Sequence, residues 1–140
     1  WDLGYAVDTL ETAVNWDKVT DTMVGVEKGL EQALNSFNEP ILAFSHLSHV
    51  YATGSSIYTT FVFRLADTPQ KTLARWRALK QAASRAIVEA GGTNIHHHGI
   101  VKDHLPYLES EKGPIGINTL QQVFNYLDPN RQMNPGKLLP

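Results

Sequence analysis

The stretch IYTTFVFRL, which runs from Ile57 to Leu65, alternates its side chains with a period of two. One predicted face carries Ile57, Thr59, Phe61, Phe63 and Leu65, and the other carries Tyr58, Thr60, Val62 and Arg64. This alternation of β-branched and aromatic residues predicts the strongest strand of the chain. Residues 41–51 form a second strand candidate, and Ala52-Thr53-Gly54-Ser55 supplies turn chemistry between the two. The sequence therefore predicts a β-hairpin.

Helical spacing flanks this hairpin on both sides. Before it, a strand pattern over residues 5–14 is followed by a helical stripe of apolar residues at spacings of three and four. The stripe consists of Val19, Met23, Val26, Leu30, Leu34 and Phe37. After the hairpin, Thr68 is suited to cap a helix whose first residue is Pro69, and Gly91-Gly92 is suited to end it.

The C-terminal third predicts smaller elements. Residues 93–95 are a short strand or a loop, residues 102–109 a short helix, and a further helix starts at Pro114 and ends at Asp128. Its inward residues are expected to be Ile117, Leu120, Phe124 and Leu127. The order β-α-β-β-α-(β) predicts an α+β fold of the ferredoxin-like split βαβ type, an antiparallel sheet with helices on one face. Small C-terminal helices and a coiled tail complete one domain over residues 1–140.

Composition predicts a globular domain that does not bind nucleic acid. The chain has 140 residues, 42% hydrophobic and 19% charged, and a net charge of -2 gives no basic excess to follow a phosphate backbone. No run reaches the roughly 18 apolar residues of a membrane span. Cysteine is absent, which excludes thiolate chemistry and cysteine-ligated zinc. Because the chain opens on Trp1 and not on Met, we expect it to be a piece of a longer protein.

The run His96-His97-His98-Gly99 is the sharpest local feature. If it lies on a strand, His96 and His98 share one face and His97 points to the other. A metal site would then need a ligand from elsewhere, and the spacing selects none of the candidates His46, His49, His104, Asp8 and Glu11. An acid/base role asks for less geometry, since histidine titrates near neutral pH. A solvated surface loop is the plain alternative.

Tyr58 and Arg64 share the second face of the hairpin strand. A tyrosine in that position is most often packed, with its hydroxyl bonded nearby. A single arginine is by default solvated, although it suits a carboxylate or phosphate.

Five segments of the chain, taken together and in order, are similar to those of a known protein family. They are VDTLETAV (7–14), GSSIYTTFVF (54–63), HHHG (96–99), DPN (128–130) and NPGKLL (134–139). The order resembles the C-terminal cap, or substrate, domain of FAD-linked oxidases of the vanillyl-alcohol-oxidase group, over nearly the whole chain. The HHHG run is the more specific signal. It resembles the alkyldihydroxyacetonephosphate synthase (alkylglycerone-phosphate synthase) branch, which builds ether lipids.

This resemblance implies the substrate-side half of an FAD-dependent enzyme. Such synthases exchange the acyl group of acyl-dihydroxyacetone phosphate for a long-chain alcohol, with the flavin as an electron sink. The matching positions imply that Tyr58, His97 and His98 are catalytic, with His96 in support. They also imply that Asn134 and Lys137 contact the flavin.

Two other functions stay open at the level of sequence. FAD-dependent D-2-hydroxyacid dehydrogenases hold a divalent metal with a histidine, a glutamate and a histidine, where this chain has Tyr58, His97 and His98. Only one ligand position is kept, so the resemblance implies no bound metal here. The other alternative is a non-catalytic, ferredoxin-like ligand-binding module.

The resemblance also implies partners. The family places an FAD-binding domain before the cap domain in the same polypeptide, and this chain has no glycine-rich pyrophosphate loop. We therefore expect the isolated fragment to be inactive and its partners to be that FAD domain and a small-molecule or lipid-like substrate. Homo-oligomers and peripheral membrane contact of the intact enzyme are further expectations, with a cytoplasmic or membrane-peripheral location.

Overall fold

Three strands form one antiparallel sheet with the spatial order β1-β3-β2. The computed structural model describes residues 2–100 and 102–139. In chain order the elements are β1 (Tyr5–Asn15), α1 (Val19–Asn35), β2 (Ile41–Val50), β3 (Gly54–Arg64), α2 (Pro69–Ala90) and α3 (Leu108–Leu127). Short 3-10 turns at Trp16–Lys18 and Leu105–Tyr107 lead into α1 and α3. The predicted hairpin is confirmed as β2 and β3, and β3 lies in the middle of the sheet because β1 and β2 both pair with it.

The core lies between one face of the sheet and the first two helices. Its buried members are Leu10, Val26, Leu30, Leu34, Phe61, Phe63, Leu79, Ala83 and Ile87, contributed by β1, β3, α1 and α2. The prediction that the helices lie on one face of an antiparallel sheet is therefore confirmed. The helix ends follow the predicted chemistry, since the Thr68 hydroxyl accepts the Lys71 N–H and Gly91 ends α2 with a left-handed φ of 74°.

The predicted fourth strand is not formed within the described residues. Residues 93–95 are coil, and side chains satisfy this backbone in place of a strand partner. The Thr93 hydroxyl accepts the Ile95 N–H at 3.2 Å and donates to Glu111 at 2.8 Å. The split βαβ plan is thus present in part, as three antiparallel strands with three helices.

The C-terminal helices also differ from the prediction. In place of two separate helices, α3 runs from Leu108 to Leu127 with a break at Gly113, whose φ is 67°, just before Pro114. Phe124 and Leu127 were expected to face inward, yet they are 36% and 70% exposed. The physical reason is that Phe124 faces the tail instead, where it lines a cavity together with Met133 and Asn134. No helix of the described chain is long and apolar enough to cross a membrane.

The second face of the sheet is left open by the helices. The strand register places Val7, Val62 and Leu42 in one row across this face. Val7, Leu42 and Phe44 are 65%, 61% and 49% exposed. Further along the same face, the register sets Glu11, Tyr58 and His46 side by side. The open face is therefore apolar at one end and carries ionisable groups at the other.

Gly54 tests how closely β3 must approach β1. A Cβ at this position would collide with the carbonyl of Val14, whereas a Cβ on Gly25, inside α1, meets nothing within 4 Å. We expect Gly54→Ala to lower the free energy of unfolding by about 1–3 kcal/mol. We expect Gly25→Ala to raise it by about 0.5–1 kcal/mol, because alanine favours helix. Urea denaturation of both variants checks this, and equal effects would contradict the structure.

Candidate active site

Glu11 lies at the centre of the ionisable end of the open face. Its side chain is only 4% exposed, and β1 places it opposite Tyr58 of β3. A buried carboxylate is costly unless hydrogen bonds or positive charge compensate it. The surrounding residues supply both.

A bulge in β2 brings the first of these groups to Glu11. The pairing with β3 shifts between Leu47 and Val50, so one extra residue is accommodated there and side chains are redirected. The Ser48 hydroxyl donates to Glu11 Oε1 at 2.5 Å and lies 2.6 Å from the Ser56 hydroxyl. His49 Nδ1 approaches the same carboxylate oxygen at 3.6 Å.

The three consecutive histidines form a turn and not a strand, which corrects the expected alternation. His97 has a left-handed φ of 61°, and this backbone reversal lets neighbouring side chains face the same side. His96 Nδ1, His97 Nδ1 and His98 Nε2 lie 3.3, 3.9 and 3.6 Å from the Glu11 carboxylate oxygens. All three histidines thus surround one buried acid.

The protonation state of Glu11 follows from these neighbours. Burial raises the pKa of Glu11, but the hydrogen bond from Ser48 and the nearby His96 outweigh burial and lower this pKa below its usual value. The carboxylate is therefore ionised at neutral pH.

Tyr58 lies on the same side of the sheet as the histidines. Its ring centroid is 6.0 Å from that of His98 and 5.3 Å from that of His46, and its hydroxyl donates to Thr9 at 3.1 Å. The structure therefore brings Tyr58, His96, His97 and His98 together. Arg64 lies apart, 55% exposed and 3.9 Å from Glu39.

The tail residues Asn134 and Lys137 are placed elsewhere. Asn134 lines a cavity of about 240 Å³ between α3 and the tail, together with Phe124 and Met133. The Lys137 N–H donates to the Asn134 carbonyl at 3.3 Å. In the described ranges, no hydrogen bond, ion pair or ring contact joins either residue to the histidines, so their flavin contact stays a prediction.

Neither Tyr51 nor the central position of Glu11 is signalled by the sequence. The Tyr51 hydroxyl lies 3.0 Å from His96 Nε2, across 45 residues of chain. No local pattern signals a contact between a turn after β2 and a turn after α2. The strand around Glu11 carries no pattern that predicts a buried charge. Glu11 is buried because the histidine turn, distant in sequence, packs over it.

Of the metal-ligand candidates named from the sequence, only some lie close enough to the histidine turn to share one ion. Glu11, His49 and His97 each offer one ligand atom, and these atoms lie within 4.8 Å of one another. Nitrogen and oxygen donors at this spacing suit a divalent ion such as zinc. Asp8 instead accepts from Trp76 Nε1 at 2.7 Å, on the helical side of the sheet.

The histidine turn is tied to the sheet by a close backbone approach. A Cβ on Gly92 would collide with the Thr12 hydroxyl of β1. Glycine therefore lets the segment after α2 pack directly on the strand that carries Glu11. This contact sets where the turn at residues 96–98 lies.

Comparison with known proteins gives a consistent match. The family described as "FAD linked oxidases, C-terminal domain" matches residues 1–138. The chain is 29% identical to an alkyldihydroxyacetonephosphate synthase of Trypanosoma brucei brucei, over 95% of this chain and 21% of that protein. A mitochondrial D-lactate dehydrogenase (cytochrome) of Arabidopsis thaliana is 30% identical over 64% of this chain and 16% of its own length.

A solved alkyldihydroxyacetonephosphate synthase shares the fold, with a TM-score of 0.62 and 19% identity over 94% of this chain and 20% of that chain. The chain therefore spans about a fifth of the length of the synthases it matches.

His104, in the segment after the histidine turn, makes a pH-dependent contribution to the stability of the fold. Burial lowers the pKa of His104, and the Gly99 carbonyl at 3.5 Å only partly opposes this. Since the folded-state pKa lies below the unfolded value of about 6.5, this contribution to stability is present above that pH and is lost as pH falls through the folded-state pKa. We expect His104→Gln to flatten the loss of stability below about pH 6.5.

Denaturation midpoints measured at several pH values check this expectation. The control is His46→Gln, which replaces an exposed histidine of the open face. An unchanged pH slope in His104→Gln would show that His104 is not the group responsible.

Proposed function

Because this chain belongs to the C-terminal domain family of FAD-linked oxidases, we propose that it forms the substrate-side half of an alkyldihydroxyacetonephosphate synthase-like enzyme. Such an enzyme exchanges the acyl group of acyl-dihydroxyacetone phosphate for a long-chain alcohol. The observation that carries the proposal is the convergence of His96, His97, His98 and Tyr58 around the buried Glu11 on the open face.

The reaction needs proton transfers that these residues can perform. His97 is half-exposed, with a side-chain exposure of 51%, so its ring is accessible to the substrate as an acid/base group. The Tyr58 hydroxyl, which donates to the Thr9 hydroxyl at 3.1 Å, would turn from Thr9 to donate its proton to the departing carboxylate.

The FAD implied by the family would supply an electron sink when bound. The flavin ring is flat and largely apolar, and the open face offers the row of Val7, Val62 and Leu42, of which Val7 and Leu42 are exposed, beside the ionisable groups. The residues present therefore fit such a group. We propose that the FAD-binding domain of the same polypeptide covers this face, with Asn134 and Lys137 as its flavin contacts from the tail.

The apolar row also suits the lipid-like part of the proposed substrate. Exposed apolar side chains in a contiguous patch mark a binding surface more often than isolated ones do. Phe44 extends this row toward Tyr58, because its register partner Thr60 lies between Val62 and Tyr58 on the same face of β3. A long alkyl chain along the row would leave its polar end next to the histidines.

Substitutions in the full polypeptide that carries this chain test the proposal. We expect Tyr58→Phe and His97→Gln each to lower the rate of acyl-to-alkyl exchange by about 10²-fold or more, because each removes a group that transfers a proton. The matched control is Tyr126→Phe, since Tyr126 is 86% exposed on α3. Full activity in Tyr58→Phe would remove this tyrosine from the mechanism.

A second candidate function is the oxidation of a D-2-hydroxyacid. Two observations favour it: Glu11, His49 and His97 form a group that could hold a metal ion, and the chain is similar to a D-lactate dehydrogenase. Metal analysis of the purified full polypeptide separates the two candidates. One zinc or manganese ion per chain, lost in His49→Ala together with D-2-hydroxyacid oxidation, would favour this second function over the first.

A further inference from the structure

We propose that Tyr51 is a further catalytic residue and that His96 and Glu11 act behind it as positioning residues in a proton relay. The reaction assigned to the relay rests on the proposed function, whereas its hydrogen-bond arrangement does not. Neither the family motifs nor the sequence pattern points to Tyr51.

The three side chains are connected in a line. Tyr51 Oη lies 3.0 Å from His96 Nε2, and His96 Nδ1 lies 3.3 Å from Glu11 Oε1. Ser48 holds the same carboxylate oxygen from the far side at 2.5 Å. A hydroxyl, an imidazole and an orienting carboxylate in this order form the arrangement that activates hydroxyl groups in many enzymes.

Hydrogen-bond chemistry fixes the direction of the line. An ionised carboxylate only accepts hydrogen bonds, so the His96 nitrogen that faces Glu11 must carry the hydrogen. In a neutral His96 the other nitrogen, Nε2, is then an acceptor, and Tyr51 must donate to it. His96 is thereby held in the Nδ1–H tautomer.

The surroundings of His96 support the same conclusion. Its side chain is 13% exposed, and its Nδ1 is buried without a well-directed hydrogen bond among the described residues. Glu11 Oε1, 3.3 Å away, is an acceptor within reach of this nitrogen, so a small ring rotation would complete the bond. Such bonds are often long in an unliganded site and shorten when substrate binds.

Exposure distinguishes Tyr51 from a packing tyrosine. It is 42% exposed at the end of the hairpin, so its hydroxyl can be reached by a ligand on the open face. Its backbone is fixed nonetheless, since the Tyr51 N–H donates to the Gly54 carbonyl at 2.8 Å. Its ring also meets His96 edge-on, with centroids 6.0 Å apart.

The step that this geometry allows is a proton transfer without a change of oxidation state. Tyr51 Oη accepts a proton from a carbon atom beside the substrate carbonyl as its own proton passes to His96 Nε2. The electron pair of the broken C–H bond stays on the substrate and delocalises onto the carbonyl oxygen. Glu11 keeps its charge and stabilises the His96 imidazolium, so one proton has moved from substrate to His96.

Ring nitrogen NMR of the full polypeptide, labelled with ¹⁵N at histidine, tests the arrangement directly. At a pH well above the ordinary histidine value of about 6.5, we expect His96 in the Nδ1–H tautomer. Glu11→Gln should change the tautomer, because its amide can donate as well as accept. Glu39→Gln is the matched control, since Glu39 is a largely buried carboxylate bound by Arg75 away from the site.

Kinetics of the same protein test the role of Tyr51. We expect Tyr51→Phe to lower kcat by about 10-fold to 10²-fold with KM changed less than about threefold. Adding Glu11→Gln to Tyr51→Phe should cost little more, because the residues act as a unit. Wild-type His96 in the Nε2–H tautomer would overturn the relay whatever the reaction is. Unchanged kcat in Tyr51→Phe, with Tyr58→Phe inactive, would overturn it and leave the proposed function intact.

Discussion

The burial of the Glu11 carboxylate is the constraint on which the candidate site depends. A negative charge that is 96% withdrawn from solvent, given its 4% exposure, is tolerated only where donors and positive charge surround it. The bulge in β2 supplies a hydroxyl and a histidine, and the turn after α2 supplies three more histidines. The irregular backbone at both places is thus explained by one buried group.

The two faces of the sheet divide folding from function. Leu10 and Phe61 pack against α1 and α2. Glu11, one residue after Leu10, and Tyr58, three residues before Phe61, point to the open face. Because side chains alternate along a strand, the residues that build the core also fix the direction of the site residues. Stability and chemistry are therefore set by the same strands without competing for positions.

Periodicity was sufficient for the elements and insufficient for the site. The alternation of β3, the apolar stripe of α1 and the capping chemistry of α2 are local signals, and each element forms where they occur. The prediction of a fourth strand was wrong because the Thr93 hydroxyl accepts the nearby Ile95 N–H and donates to Glu111, so this segment bonds to side chains and not to a neighbouring strand. A strand assumption also separated His97 from its neighbours, and the left-handed turn that reunites them has no signal besides the following glycine. The contacts of Tyr51 and Glu11 join segments far apart in sequence, which a local pattern does not encode.

We propose that the open face of the sheet meets the FAD-binding domain in the intact enzyme. Hydroxyl-radical footprinting of the chain, alone and within its full polypeptide with FAD, tests it most directly. The account predicts strong protection of Val7, Leu42 and Phe44 in the full polypeptide, with Leu73, on the helical side, labelled alike in both. Equal labelling of the open-face residues in both states would contradict it.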